Sequence, residues 1–249
     1  MNRGFGPGLV SVLGMLVLWA LAARLAGSPL TLPGPWQVGA RVVSLAAGQE
    51  LWFHAGMTLM RVAASFGLAM AIGLGLGVVM GRWRGANAWL DPALILALNL
   101  PALVVIVLCY IWIGLNETAA ILAVALNKIP VVAVMIREGT RALRPDLDDM
   151  AASFRMPPLA RLRHILLPQL APQIAASARA GIALIWKIVL VVEFLGRSNG
   201  VGFKIHLLFS GFDVAGVLAW ALAFVAVMLG IDLGLLRPWE RRANRWRRA

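Results

Sequence analysis

Residues 145–168 read PDLDDMAASFRMPPLARLRHILLP, a polar stretch between two long apolar runs. A proline followed by aspartates is typical of a helix start, because proline fits the first turn and carboxylates complement the positive end of the helix dipole. The proline pair at 157–158 interrupts that helix, and Leu159–Leu167 predicts a second short helix that Pro168 ends. Such a helix–break–helix unit suits either a docking surface for a soluble partner or an ordinary interfacial connector.

The composition of the whole chain predicts a membrane protein. Hydrophobic residues make up 61% of the 249 residues and charged residues only 14%, whereas a soluble domain has about a quarter of its residues charged. So few charges cannot cover the surface of a soluble fold of this size. The predicted fold class is all-α, a polytopic membrane protein, with residues 1–249 forming a single transmembrane domain.

Six apolar runs approach the length of about 20 residues that a membrane-spanning helix needs. For the first run we favour a retained helix over a cleaved signal peptide. A shorter helix is predicted at about residues 36–47, after a Pro-rich segment. The predicted spans cover about residues 9–26, 55–80, 88–113, 117–136, 171–195 and 214–236, with a cytoplasmic loop at 137–170 and a Gly-rich outer loop at 196–212.

The positive charges predict the orientation of these spans. Lys and Arg that flank spans are retained in the cytoplasm. With both termini inside, fifteen arginines lie on the cytoplasmic side, including Arg3 and six in the tail, and only Arg24, Arg41, Arg197 and Lys204 lie outside. We therefore expect a multi-pass protein of the cell inner membrane with both termini cytoplasmic. The net charge of +12 does not indicate nucleic-acid binding, because no basic face lies away from the membrane flanks.

Two rows of small residues in the second predicted span indicate close helix packing. Residues four apart share a helix face, so each row lets another helix approach closely. One row is Gly73, Gly77 and Gly81, and the other is Ala63, Gly67 and Ala71.

Several motifs resemble those of one transporter family. Asp149-Met150-Ala151, followed by His164-Ile165-Leu166-Leu167-Pro168, resembles the EAA loop of ABC-importer permeases, the inner-membrane components of binding-protein-dependent transport. Leu32-Pro33-Gly34-Pro35, Asp91-Pro92, Trp112–Thr118 and Glu193 with Asn199-Gly200-Val201-Gly202-Phe203 are similar to elements of the nitrate/sulfonate/taurine permease subfamily. The resemblance covers about residues 29–248.

The resemblance implies a type I ABC importer permease fold with a cytoplasmic coupling helix. It implies several partners: a cytoplasmic ABC ATPase homodimer that binds ATP and Mg, a second copy of the permease, a periplasmic or extracellular substrate-binding protein, and membrane lipid. No cofactor is expected in this chain. The implied ATPase-coupling residues are Asp149, Ala151, Ala152, Arg155, Leu159, Leu167 and Pro168, and the implied outer-loop residues are Asn199, Gly200 and Gly202.

One departure from the family lies inside the coupling loop. The family's glycine, six residues after the acidic position, is Arg155 here. The substitution implies either a different turn geometry or an added salt bridge to the partner.

Two lysines, Lys128 and Lys187, are predicted near the middle of the bilayer, where charges are costly and often functional. We hypothesise that one or both line a translocation pathway, together with Glu193, and attract an anion. A buried Lys–Glu pair that only fixes helix packing is an equally open alternative. Arg61, Arg179 and Asp232 are interpreted as structural, with Asp232 meeting a tail arginine, and His54 and His206 as interfacial residues with no metal site.

Catalytic motifs are absent from the sequence. There is no GxxxxGK[ST] phosphate loop and no GxSxG or HExxH motif, so ATP hydrolysis is expected on a separate ATPase subunit. The predicted function is the permease subunit of an ATP-driven importer of a small solute, with an anion such as a sulfonate, taurine or nitrate favoured. The alternatives are a stand-alone secondary transporter or channel for a small anion, and a membrane-embedded enzyme.

Overall fold

The computed structural model describes residues 5–236, and helices account for most of that range. The fold is all-α, as predicted. Residues 1–4 and 237–249 lie outside the described residues. They hold Arg3 and the tail arginines from which the orientation was predicted, and also the predicted partner of Asp232. The α-helices are α1 (Phe5–Ala26), α2 (Pro35–Ala47), α3 (Gln49–Arg82), α4 (Arg84–Asn99), α5 (Ala102–Ile113), α6 (Glu117–Arg141), α7 (Pro145–Ser153), α8 (Pro158–Arg161), α9 (Leu167–Gly196), α10 (Val201–Ser210) and α11 (Val214–Ile231), with π-helical segments at Leu162–Leu166 and Asp232–Leu236.

Five of these helical stretches are long and apolar enough to cross a membrane, and a bent pair brings the number to six if it counts as one span. They are Gly8–Ala26, Gln49–Arg82, Glu117–Arg141, Pro158–Gly196 and Val214–Gly234. The bent pair is α4 and α5, whose axes differ by 99°.

The predicted span over 88–113 is not one continuous helix. The chain breaks at Leu100 and Pro101, both of which adopt extended backbone angles. Proline disfavours a helical conformation in the residue before it and has no N–H to continue the helix. The segment is thus a broken span or a re-entrant turn.

Two further boundaries differ from the predictions. Pro168 does not end a helix, because the π-helical turn Leu162–Leu166 passes directly into α9, with the N–H of Leu167 bonded to the carbonyl of Leu162. A local i→i+5 pattern lets a helix absorb a proline without stopping. The predicted Gly-rich loop at 196–212 contains helix α10, which begins after Gly200.

The described residues form two compact units. The first comprises residues 5–57 with 193–229, and the second comprises 58–192 with 230–236. In the first unit, the indole N–H of Trp19 on α1 donates to the carbonyl of Pro33, just before α2. The apolar core of the second unit is built from α3, α5, α6 and α9 around Ile106, Ala123 and Ile185.

Helix α6 is the central element of the second unit. In its most apolar window 61% of the residues are buried, against 6–33% in the other candidate spans. It starts cleanly because the Asn116 side chain accepts a hydrogen bond from the N–H of Ala119, which satisfies one of the free donors of the first turn.

Helices α3 and α6 lie side by side and parallel, and residues 56 positions apart face each other. The hydroxyl of Ser65 donates to the carbonyl of Ile121 at this offset. A Cβ added at Gly77 would lie 2.7 Å from the carbonyl oxygen of Ala133 and 2.6 Å from the Cβ of Ile136. A Cβ added at Gly73, Gly77 or Gly81 would lie less than 3 Å from an atom of α6. The predicted packing row is therefore confirmed.

The second small-residue row makes no such contact within the described chain. A Cβ at Gly67 would meet no atom within 4 Å, and Ala63 and Ala71 are exposed. No described helix of this chain packs on that row.

Candidate translocation and coupling sites

Lys128 is a buried cation at the middle of α6. The residue is only 2% exposed, and its Nζ has no hydrogen-bond partner among residues 5–236. An ionised group buried without a partner is costly. The site also has room for the side chain, because Gly181 on α9 faces it: a Cβ at Gly181 would lie 3.3 Å from the Cε of Lys128.

Lys187, the second predicted pathway lysine, has different surroundings. It lies on α9 and is exposed, and its Nζ is 5.7 Å from the ring centroid of Trp186. An ammonium over an indole face is stabilised by the ring quadrupole. The structure therefore separates the two lysines: one is buried and unpaired, and the other is on the surface of this chain beside an aromatic ring.

A half-buried ion pair that the sequence did not predict lies in the same unit. Arg61 on α3 is 0% exposed and makes a two-pronged contact with Glu117, with Nε to Oε2 at 2.8 Å and Nη2 to Oε1 at 2.6 Å. Bidentate arginine–carboxylate pairs are among the strongest charge-assisted hydrogen bonds. Glu117 is also in the first turn of α6, where the helix dipole favours a negative charge. Both residues are visible in the sequence, but their pairing depends on the parallel register of α3 and α6.

Glu193 and the predicted outer-loop glycines come together in the first unit. Glu193 is fully buried, and its Oε2 accepts a hydrogen bond at 2.9 Å from the N–H of Gly202 in the first turn of α10. Gly200 has φ +107, and a Cβ there would lie 2.3 Å from the carboxyl carbon of Glu193. Only glycine fits this position, for reasons of both conformation and space. Asn199 precedes this cap.

His54 supports the same outer cluster from α3. Its Nδ1 accepts a hydrogen bond at 3.0 Å from the N–H of Gly200, and its ring makes an edge contact with Trp220 at 5.7 Å between centroids. The histidine is buried and holds the loop that enters α10. No group of three or more His, Cys, Asp or Glu side chains in the described part of the chain could hold a metal ion.

The coupling segment begins with the predicted helix α7, which ends in a Schellman motif. The N–H of Met156 bonds to the carbonyl of Ala151 at 2.9 Å, and the N–H of Arg155 bonds to the carbonyl of Ala152 at 3.0 Å. Arg155 itself has φ +48, the left-handed conformation that this motif requires and that glycine usually supplies. The expectation of a different turn geometry is therefore not supported: the chain makes a glycine-type turn with an arginine.

The predicted coupling residues divide into an inward and an outward group. Ala151 is buried and belongs to the hydrogen-bonded turn. The outward group is exposed and is accompanied by the bulky apolar side chain of Phe154, a composition typical of a protein-contact surface. Its members are Asp149, Ala152, Arg155, Leu159, Leu167 and Pro168.

Two polar contacts hold the start of this segment. The backbone N–H of Arg144 donates to the side-chain oxygen of Gln169 in α9 at 3.2 Å. The guanidinium of Arg144 hydrogen-bonds to both carboxylate oxygens of Asp146, and this contact holds the pKa of Asp146 below its ordinary value.

Comparison with known proteins agrees with this arrangement. Residues 67–236 match the family described as the binding-protein-dependent transport system inner membrane component. The taurine transport system permease protein TauC of Escherichia coli (strain K12) is 28% identical over 244 residues, 96% of this chain and 88% of the relative. The putative aliphatic sulfonates transport permease protein SsuC of Bacillus subtilis (strain 168) is 26% identical over 245 residues, 98% and 88% of the two chains. The bicarbonate transport system permease protein CmpB of Synechococcus elongatus is 25% identical over 248 residues, 94% and 88%.

Solved structures share the fold. A chain of the MetNI methionine ABC transporter in an inward-facing conformation superposes with a TM-score of 0.64 at 16% identity, over 75% of this chain and 92% of that chain. A chain of an amino acid ABC transporter gives a TM-score of 0.55 at 22% identity, over 74% and 91%. With a family match over more than half of its length and a shared fold, the chain belongs to the family of binding-protein-dependent transport system inner membrane components.

Proposed function

We propose that this chain is a permease subunit of an ATP-driven importer and that its solute is a small oxyanion, of the class of sulfonates, taurine, nitrate or bicarbonate. The observation that carries the choice of an anion is the buried, unpartnered ammonium of Lys128. The relatives TauC, SsuC and CmpB are named for taurine, aliphatic sulfonates and bicarbonate. These solutes share a negatively charged group of oxygen atoms, which is the chemistry that an ammonium binds.

The physical basis of this choice is the cost of an isolated buried charge. An ammonium in an apolar environment is costly unless an opposite charge or hydrogen-bond acceptors compensate it. Within its own unit Lys128 lies near Phe66 and Gly181, and neither offers an acceptor through its side chain. An anionic solute would supply the missing acceptor oxygens while it passes. The lysine would therefore favour anions over neutral or cationic solutes.

We propose that the segment from α7 to the start of α9 is the surface on which a cytoplasmic ATPase docks. This proposal is supported by the exposed apolar side chains of Phe154 and Leu159 beside exposed charges at Asp149 and Arg155. The ATPase homodimer would hold ATP and Mg, and this chain would hold neither. Because Gln169 ties the start of α7 to α9, movement of the docked segment would be transmitted directly to a membrane helix.

The same assembly would contain a second copy of this chain, an extracytoplasmic binding protein and the surrounding lipid. We place both termini in the cytoplasm on the basis of the arginine distribution. A role for Glu193 in the pathway stays a prediction. Its hydrogen bond to Gly202 supports a structural role instead, in which Glu193, Asn199 and the two glycines hold the outer end of the permease in shape.

Reconstitution tests the proposed function. The chain would be co-expressed with its ATPase, purified, placed in liposomes and supplied with its binding protein and radiolabelled taurine or an alkanesulfonate. We expect uptake that requires ATP, the ATPase and the binding protein together. Flux of the anion through the isolated chain without ATP would overturn the proposal in favour of a secondary transporter or channel.

A further inference from the structure

A basic cavity lies at the end of the second unit where the coupling segment begins. It has a volume of about 510 Å³ and forms between the end of α3, the start of α4 and the end of α6. Its polar lining comes from Arg82, Arg84, Asn87, Thr140 and Arg141. Neither the translocation hypothesis nor the proposed ATPase contact uses this cavity.

The charge of the cavity is strongly positive. Three guanidinium groups line it, and no acidic side chain is among the described residues of its wall. Glu138 forms ion pairs with both Arg141 and Arg137. Planar guanidinium groups bind phosphate oxygens in pairs and with directional hydrogen bonds. The chemistry of the lining therefore fits a phosphate group.

The surroundings of the cavity place it at the level of lipid headgroups. Two tryptophans close in sequence to the lining residues are highly exposed, Trp83 at 62% and Trp89 at 86%. Exposed tryptophans are typical of the membrane–water interface. Arg82 and Arg141 are the last residues of two apolar helices long enough to span a bilayer. Met80 and Leu143 give the cavity an apolar side, against which the glycerol end of a lipid could lie.

We propose that this cavity binds the phosphate group of an anionic phospholipid of the surrounding membrane. A basic pocket between membrane helices on the cytoplasmic side is a physical match for such headgroups, and each arginine near the surface adds to the attraction. Because only residues 142–144 separate Arg141 from α7, a bound lipid would brace the base of the coupling segment. A phosphate ion from solution has the same chemistry, and the test distinguishes the two sources.

The test measures lipid retention by the purified full-length chain. The protein would be equilibrated in detergent with equal amounts of phosphatidylglycerol and phosphatidylcholine, and retained lipids counted by native mass spectrometry. We expect preferential retention of phosphatidylglycerol. We expect Arg84→Gln to weaken this retention about fivefold, and the Arg84→Gln/Arg141→Gln double variant about 25-fold, if each arginine contributes as surface arginines do. Arg84→Lys, which keeps the charge, should retain most of the binding.

A matched variant controls for net charge alone. Arg163 is exposed in the polar stretch 145–168 and does not line the cavity. Arg163→Gln should therefore retain the lipid as the wild type does. Equal retention of the two lipids by the wild type would overturn the proposal, as would equal losses in Arg84→Gln and Arg163→Gln. Displacement of phosphatidylglycerol by millimolar inorganic phosphate, or phosphate binding without lipid, would also overturn it and make the cavity a site for a soluble anion. The three substituted arginines, Arg84, Arg141 and Arg163, are all exposed. We therefore expect unchanged unfolding temperatures in every variant, so that a loss of lipid reports binding and not unfolding.

Discussion

Two buried cations in the second unit have opposite surroundings. Arg61 on α3 is fully buried and paired with Glu117 in a bidentate contact, whereas Lys128 on α6 is 2% exposed and its Nζ has no hydrogen-bond partner among the described residues. Burial is nearly the same for both, so burial alone does not define a functional charge. The difference lies in the partner. We propose that the paired Arg61 fixes helix packing and that the unpaired Lys128 binds the anion.

The register of α3 and α6 decides which cation is paired. At an offset of 56 residues, Arg61 meets Glu117 and Ser65 meets Ile121. Lys128 lies about three turns further along the same face of α6 as Glu117, near Gly181 and Phe66. Variants at and around each cation test whether its partner accounts for this difference.

The largest loss of stability is expected from removal of the Arg61 partner. Glu117→Ala removes the carboxylate that Nε and Nη2 of this fully buried guanidinium contact. Breaking a buried pair costs about 3–5 kcal/mol, and because the Glu117 side chain is 36% exposed we expect about 3 kcal/mol. Unfolding in mixed micelles with increasing denaturing detergent would measure the change.

A double variant provides the control for this prediction. Arg61→Met/Glu117→Gln removes both charges, so no ion is stranded and most of the loss should be recovered. An equal loss in the single and double variants would mean that the pair itself, and not the stranded charge, accounts for the stability.

The second prediction concerns the register on which the pairing depends. Gly77→Ala places a Cβ 2.7 Å from the carbonyl oxygen of Ala133 and touches neither cation. Overpacking of this kind costs about 1–3 kcal/mol, so we expect a loss of about 2 kcal/mol. Gly75→Ala is the matched control, because a Cβ there meets no atom within 4 Å in the described chain. This control should be neutral or slightly stabilising, since alanine is the better helix former; equal losses in both variants would contradict the α3–α6 contact.

The third prediction concerns Arg155, a cation whose left-handed backbone conformation lowers the stability of the fold. Arg155 lies outside the core and adopts φ +48, a conformation that costs a non-glycine residue roughly 1–2 kcal/mol. Arg155→Gly should therefore raise the free energy of unfolding by up to about 1 kcal/mol, because the greater freedom of glycine in the unfolded chain offsets part of the gain. Arg155→Lys, which keeps the charge and the strain, should leave the stability unchanged. A gain from Arg155→Lys would show that the arginine side chain itself, and not backbone strain, is the relevant cost.

The smallest effect is expected at an exposed ion pair. Arg144 and Asp146 are hydrogen-bonded to each other but lie in solvent, where ion pairs contribute little. Asp146→Asn should therefore shift the unfolding temperature very little between pH 5 and pH 8. Because the pKa of Asp146 is lowered by Arg144, any contribution is present above its ordinary pKa of about 4 and is lost as the pH falls below it. A clear difference in unfolding temperature between Asp146→Asn and the wild type at pH 7 would mean that the pair is more than a surface contact.

Much of the fold could be predicted from apolar patterning, because the bilayer allows few alternatives to long helices. Helix α6, from Glu117, and helix α7, from Pro145, begin where the sequence indicated. The bend at Pro101 was visible only as a proline within an apolar run, since its 99° angle depends on how α4 and α5 pack. The glycine cap at Gly200 likewise depends on the distant carboxylate of Glu193.

The candidate sites were predictable only as single residues. The sequence identified Lys128 as a charge at membrane depth, but whether Lys128 has a partner depends on which helices surround α6. The Arg61–Glu117 pair was missed because its two residues are 56 positions apart and no local pattern joins them. Helix pairing in three dimensions supplies this information, and composition and spacing do not.

Uptake by a Lys128→Met variant tests most directly whether the unpaired lysine binds the solute. The variant complex, reconstituted with its ATPase and binding protein, would be assayed for ATP-dependent uptake of taurine or an alkanesulfonate, alongside its unfolding temperature. Loss of a charge-assisted hydrogen bond of about 1.5–3 kcal/mol predicts uptake reduced roughly 10- to 100-fold. The unfolding temperature should be unchanged or higher, because no counter-charge is stranded. Normal uptake affinity and rate in the variant would contradict the account, and a loss of stability like that of Glu117→Ala would show that Lys128 is a structural cation after all.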